Sequence, residues 1–448
     1  MVSPEVLVER LNRGVSKRNA RWTFVRDHAF GDALTLRRFR LGNGLTLLLL
    51  VDRAAPTVSY HTWFRVGSRN ERPGKTGLAH LFERLMFNET RNHALGDFDR
   101  LMERAGAEAN AATWTDWTYY YENAPRNALP LLVELEADRM ANLVLRKPQV
   151  SSEKEVVANE RKLRVEDDVE GRALELLYAT AFKRHPYRWP TIGWMEDIRD
   201  FSVADCRDFY RTHYAPANAS VVIAGDFDVR KALALVQKHY GGFSKVGAAE
   251  SVALPKEPPQ RKERVQTLRA PTPAEKLLLG YRAPAFSHPD TPSLTLANEV
   301  LFGGRSSRLH RRFCLDEELA LSVRGSISPF VDPGLFEMWI SVRQGKRRQD
   351  ALALLERELG QLAANGPTSA ELGKATSQLE LSFLHSLETA GGKAEQVGFY
   401  ETVARDGSAV FDRLAAYREV TPSDVRRVVS KYLRPSRRTR IEILPSAV

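Results

Sequence analysis

The sequence predicts an α+β protein of two pseudo-symmetric domains, each a mainly antiparallel sheet backed by helices, facing each other to form a clam-like chamber. Three observations lead there. The 448 residues exceed what one hydrophobic core organises. Strand-like and helix-like segments follow one another in the same order in both halves. Two distant segments, "SVADCRDFYRTHYAP" and "TPSDVRRVVSKYLRP", superpose without a gap, Asp205 on Asp424, Arg207 on Arg426 and Pro216 on Pro435, and each precedes a strand.

The first half opens with strands at Leu45–Val51, after the Asn43-Gly44 turn, and Val58–Val66, which alternates in character. Helical spacing follows at Leu78–Phe87, Gly96–Ala105 and Ala128–Asn142, with a strand at Ala109–Glu122 between the last two. A long helix is expected from Ser151 to Tyr178, then a helix at Val203–Tyr214 and a strand at Ser220–Ile223. Residues 241–262 are rich in Gly, Ala, Ser, Lys and Pro and read as a linker between domains 1–240 and 263–448. The second half repeats the order: strand Lys276–Tyr281, helices Ser293–Phe302 and Leu309–Glu318, strand Phe336–Val342, helices Asp350–Ala364 and Ser369–Leu387, and a final strand at Arg440–Leu444.

Composition is that of a globular protein, 43% hydrophobic and 27% charged. The net charge of +10 is either a solvated basic surface or a preference for acidic peptides, acidic partners or an anionic surface. No aromatic-studded basic block points to nucleic acid. Two cysteines, Cys206 and Cys314, exclude a disulfide scaffold and a cysteine-rich zinc ribbon. No run of eighteen apolar residues spans a membrane. Met1–Arg21 lacks an apolar signal core, so the chain as written is expected in the cytoplasm, or in the periplasm if a leader has been removed.

The chemistry centres on Gly77–Phe87, GLAHLFERLMF. His80, Glu83 and Arg84 share one helix face. A His-x-x-Glu-His segment would set two imidazoles on one zinc with the glutamate over metal-bound water, but here the fifth position is Arg84. Glu153 and Glu160, seven apart, share a face of the later helix.

The segments "VGSRNERPGKTGLAHLFERLMFNET", "GDFDRLMERAGAEANAATWTDWTYYYENAP", "SSEKEVVANERKLRVEDD" and "DFYRTHYAPANASVVIAGDFD" resemble the pitrilysin/insulinase/mitochondrial-processing-peptidase family of zinc peptidases, specifically its short bacterial two-domain branch. The resemblance runs from Leu41 to Pro445. It implies a zinc metallo-endopeptidase with His80 as first ligand, Glu160 as third ligand, Glu83 as general base and Glu153 as a carboxylate tuning the site. It further implies that Asn110 to Tyr119, with Asn110, Ala111, Ala112 and Thr113 as substrate-binding residues, form an edge strand that pairs with the backbone of a peptide or small-protein substrate. Trp114, Trp117 and Tyr119 would line the chamber.

Two departures bear on activity. Arg84 stands where the family has its second histidine, and a guanidinium has no lone pair for a metal. At an effective dielectric of about 20, a unit charge ~4 Å from a divalent ion is repelled by roughly 8 kcal/mol. Zinc is therefore expected to bind weakly or not at all, with Arg84 paired to Glu83 or Glu160 instead. In the second half, the family's Arg and Tyr that hold the substrate carbonyl are matched by Cys314 and Leu321. Some relatives divide the work between two subunits, which makes a homologous subunit carrying the Arg/Tyr pair the expected partner of a heterodimer. Three readings stay open: the metal-bearing subunit of a two-subunit peptidase with a defective site, a non-catalytic partner subunit, or a peptide-binding scaffold of the same fold.

Overall fold

A computed structural model describes residues 3–244 and 254–446. It is built on two mixed sheets. The first carries β1 (Trp22–Phe30), β2 (Leu34–Leu41), β3 (Thr46–Val51), β4 (Thr57–Phe64), β5 (Glu108–Thr113), β6 (Thr118–Pro125) and β7 (Ala219–Gly225), in the order β1-β2-β3-β7-β4-β6-β5. The second carries β8 (Arg264–Ala270), β9 (Lys276–Arg282), β10 (Ala320–Ile327), β11 (Leu335–Val342) and β12 (Arg438–Pro445), in the order β10-β11-β9-β12-β8. Read from β3 and from β8, the two orders match strand for strand. Each has one parallel pair, β3 with β7 and β8 with β12, and is otherwise antiparallel. The α+β, two-domain expectation holds.

The repeat seen in the sequence is a repeat of helix-start chemistry. Ser202 and Thr421 each accept the backbone N–H three residues on, and Asp205 and Asp424 reach back to the cap N–H, a reciprocal box at the start of Val203–His213 and Pro422–Tyr432. A short 3-10 turn at Pro216 or Pro435 then feeds β7 or β12.

The compact units interleave along the chain rather than dividing at residues 241–262. One comprises Met1–Ala158, Thr191–Ala253 and Ser386–Phe411, the other Asn159–Pro190, Leu254–His385 and Asp412–Val448. The first therefore takes a helix from the second half of the sequence, Ala390–Val403, which packs on β4 and β7. The second takes a helix from the first half, Val169–Ala181, which packs on β8, β9 and β12 over Leu278, Trp339, Ile441 and Ile443. Part of the expected linker, 245–253, lies outside the described residues.

Three sequence expectations change. Ala109–Glu122 is a hairpin of β5 and β6, turned at Trp114–Trp117, where the Trp114 N–H donates to the Trp117 carbonyl at 2.9 Å. The expected edge strand thus ends at Thr113, and Tyr119 lies on its neighbour. The helix expected over Ser151–Tyr178 breaks: Lys147–Arg161 ends in a π-helical turn, and Asp168 caps a new helix by accepting the Gly171 N–H at 2.6 Å. The helix expected at Leu309–Glu318 is a single α turn running into a second π-helical turn, Arg311–Asp316.

Candidate functional site

The helix Leu78–Leu85 buries Leu78, Leu81, Phe82 and Leu85 and leaves His80, Glu83 and Arg84 half-buried on its other face. Its start is held tightly. Gly77 adopts φ +96°, and a Cβ there would lie 2.5 Å from the Ile192 carbonyl oxygen. Glu71, 8% exposed, accepts the N–H groups of Gly77 and Ala79, both at 2.8 Å, so its carboxylate serves two of the helix's otherwise unbonded donors. Burial pushes the Glu71 carboxyl well above its usual range, and the two N–H bonds pull against it. Asp197 accepts the Thr76 N–H at 3.0 Å and its hydroxyl at 2.6 Å. Further along, the Tyr120 hydroxyl donates to the Phe82 carbonyl at 3.3 Å and pairs with the Tyr214 hydroxyl at 3.1 Å.

Behind this helix lies a buried ionic group. Arg139 bridges Glu122 (3.0 Å) and Glu136, its guanidinium lies 4.4 Å from the Tyr120 ring centroid, and Thr62 donates to Glu136 at 2.6 Å. Burial, then the neighbouring Glu136, pushes the Glu122 carboxyl well up.

The ion pair of Arg84 is with Glu153, not with Glu83 or Glu160. Arg84 Nε donates to Glu153 Oε2 at 3.0 Å, and Asn88 Nδ2 donates to Glu153 Oε1 at 3.2 Å. Both carboxylate oxygens are thereby engaged. Glu153 and Glu160 lie on one helix, as the spacing requires, with buried Val157 between them. Glu160 groups with the second compact unit and pairs with Arg164 at 3.1 Å. Asn88 and Glu71 escaped the sequence reading; Glu71 stands six residues before Gly77, too far for a capping-box pattern to reveal it.

The strand β5 ends the first sheet, and among the described residues only β6 pairs with it. Asn110 is exposed and Ala111, Ala112 and Thr113 are half-buried. The helix Leu78–Leu85 packs against β5. Tyr119 is stacked on Trp63 with centroids 4.1 Å apart and is 8% exposed, Trp117 meets both rings edge-on, and Trp114 is 47% exposed. In the second unit Cys314 is partly buried, and burial raises its thiol; Leu321 on β10 is exposed.

Residues 47–193 match the model of the insulinase family, peptidase family M16, and residues 200–379 match that of the M16 inactive domain. A zinc protease, PqqE, of Helicobacter pylori is 30% identical over 90% of this chain and 92% of its own. The chain belongs to the M16 peptidase family. A crystal structure of a protease from Helicobacter pylori, 28% identical, superposes with a TM-score of 0.86 over 92% of this chain and 99% of that one. The beta subunit of the human mitochondrial-processing peptidase is 26% identical over 85% of this chain and 79% of its own.

Zinc is implied for the family by the names of these relatives. The M16 motif residues of this chain do not fit it. A tetrahedral site needs three protein donors and an open position. Arg84 offers no lone pair and its Nε is committed to Glu153. Among the described residues no group of three or more His, Cys, Asp or Glu side chains is arranged to hold a metal ion. No helix among them is long and apolar enough to cross a membrane.

Proposed function

We propose that this chain is a subunit of a zinc metallo-endopeptidase assembly of the M16 type. It holds a peptide or small-protein substrate by strand addition to β5, and Arg84 in place of the second ligand histidine makes this form weakly active or inactive. The observation that carries the reading is the Arg84–Glu153 ion pair at 3.0 Å. The guanidinium engages the carboxylate that the family assigns to tuning the metal. The positive charge the metal would bring is thereby replaced by one that cannot accept a lone pair.

His80 and Glu160 are two of the three ligands the family pattern requires, and Glu83 is its general base. With one donor missing, no hydrolytic step is assigned to them. What the chain retains is recognition. The edge of β5 offers backbone N–H and C=O groups to an extended peptide, and Asn110, Ala111, Ala112 and Thr113 set which side chains fit beside it. Since Cys314 and Leu321 cannot hold a substrate carbonyl, a homologous subunit supplies the Arg/Tyr pair. A second reading, a non-catalytic partner subunit, is favoured by Asn88, which occupies the other oxygen of Glu153 and leaves that carboxylate fully engaged without a metal.

Metal analysis after dialysis, on the chain and on Arg84→His, tests the proposal. The chain is expected to hold far less than one zinc per molecule and Arg84→His close to one. Stoichiometric zinc in the unaltered chain would refute the ligand assignment. Peptide cleavage is expected from Arg84→His only with a partner bearing the Arg/Tyr pair, and cleavage by the variant alone would refute the two-subunit reading. A peptide N-methylated at alternate positions should bind more weakly than its parent if strand addition operates.

A further inference from the structure

The basic excess of the sequence has a focus at the C-terminal end of the helix Ala390–Val403. Arg38 and Arg40 project from one face of β2, Arg65 follows β4 directly, Arg69 lies in the turn Ser68–Asn70, and Arg405 follows the helix. Among the described residues two carboxylates pair with these guanidiniums, Glu401 with Arg38 and Asp116 with Arg69. Glu401 is 1% exposed and already used: it accepts from Arg38 Nη2 at 2.7 Å and from the Gly407 N–H at 3.0 Å. Asp116 pairs with Arg69 at 3.4 Å. Half-buried Arg65 donates instead to a neutral acceptor, the Ala217 carbonyl, at 3.2 Å. Among the described residues Arg40 and Arg405 make no ion pair.

Crowding is felt in the chemistry of the group. Burial, then the charge of Arg405, and further on those of Arg38 and Arg40, pull the Arg65 guanidinium down to about 10, with Glu401 opposing. Burial and Arg69 lower Arg405 in turn. The carbonyl end of the helix contributes only about half a negative charge. Arg405 also holds φ +63° just past the helix end, a conformation that glycine adopts without strain.

We propose that Arg40, Arg65 and Arg405 form a binding site for a multivalent oxyanion of the phosphate class. The planar forks of guanidinium groups match the oxygens of such an ion, and an anion between them supplies the counter-charge that Glu401 and Asp116 leave short. Among the described residues all of the groups invoked lie in the first compact unit. The inference is independent of the peptidase reading.

The test is thermal unfolding and calorimetric titration of the full chain with inorganic phosphate and pyrophosphate, against sodium chloride at matched ionic strength. Phosphate is expected to raise the unfolding temperature by several degrees more than chloride, and pyrophosphate by more again. Arg65→Met should abolish that excess. Arg405→Gly should reduce it severalfold while raising the unfolding temperature in chloride, because it removes both a repelling charge and a left-handed strain. The Arg405 variant carries the test alone if Arg65→Met does not fold. Arg305→Met, at an exposed arginine of the second unit, should leave the response unchanged. Equal shifts in phosphate and chloride, or an undiminished phosphate response in Arg405→Gly, would overturn the site.

Discussion

Gly398 lies against the indole of Trp63 so closely that a Cβ at position 398 would stand 2.0 Å from Trp63 Nε1. The second unit solves the same packing problem the other way round. Trp63 pairs across to Ser220, and Gly280 pairs across to Thr439, positions that coincide when the two repeats are aligned. At the second site the strand carries the glycine and the helix Val169–Ala181 brings Leu177, 3.0 Å from where a Gly280 Cβ would be. Large-on-strand with small-on-helix has been exchanged for its converse, because a helix resting on a sheet has room for one bulky group at each contact.

Gly398→Ala is therefore expected to cost about 2–3 kcal/mol through overpacking, seen as an earlier urea midpoint. Gly280→Ala should cost less, since Leu177 and Leu335 meet the new methyl with flexible side-chain ends. Equal effects would show that the helix Ala390–Val403 yields more readily than its contact with Trp63 implies.

Glu71→Ala removes the acceptor of two helix-start N–H groups in a buried setting. A loss of about 2–3 kcal/mol is expected, since each unsatisfied buried donor costs about 1–3 kcal/mol before relaxation. Hydrogen exchange should quicken first at Gly77 and Ala79. Unchanged exchange there would mean the helix start is held by Asp197 and packing alone.

The Arg84–Glu153 pair is partly solvated, with side chains 39% and 19% exposed. A double-mutant cycle with Arg84→Met and Glu153→Gln should give a coupling of only about 0.5–1 kcal/mol. A coupling several times larger would mean that the pair is a principal brace between the two helices and not a surface-like contact.

Two histidines should tie stability to pH. His61, 2% exposed, has no hydrogen-bond partner for either ring nitrogen among the described residues, and burial pulls its pKa down from 6.5 to about 3. Burial likewise pulls His213 from 6.5 to about 4. Below pH 6.5 the unfolded chain binds these protons and the folded chain does not, so stability falls as pH falls. Each contributes up to about 1.4 kcal/mol per pH unit, His213 down to about pH 4 and His61 down to about pH 3. His61→Leu should flatten the loss measured between pH 7 and pH 5 by chemical unfolding. A variant as acid-sensitive as the parent would place the titration elsewhere.

Much of the fold was legible because it rests on local chemistry. The hydroxyl–carboxylate boxes at Ser202/Asp205 and Thr421/Asp424, the prolines that stop both helices and the apolar strands β3, β4, β7 and β9 are encoded within a few residues each. Strands β1, β2, β8 and β10 escaped: β1, β8 and β10 lie at sheet edges, β2 is internal, and all four carry polar, partly exposed residues such as Arg37, Arg38, Gln266 and Arg324, which blur the two-residue alternation.

By itself, the sequence determined the duplicated architecture, the helix face shared by His80, Glu83 and Arg84, and the absence of a metal-donating lone pair at position 84, since a side chain's lone pairs do not depend on its surroundings. Only the tertiary structure decided which carboxylate Arg84 takes. Glu83 is its immediate neighbour in the chain, but adjacent residues on a helix diverge by about 100°, whereas packing brings Glu153 in from another helix at 3.0 Å. Tertiary structure also decided that Ala390–Val403 completes the first unit and Val169–Ala181 the second. Each helix is defined by its own caps and periodicity, but the sheet that buries it is chosen by complementary shape, glycine against tryptophan and leucine against glycine, between residues more than a hundred positions apart.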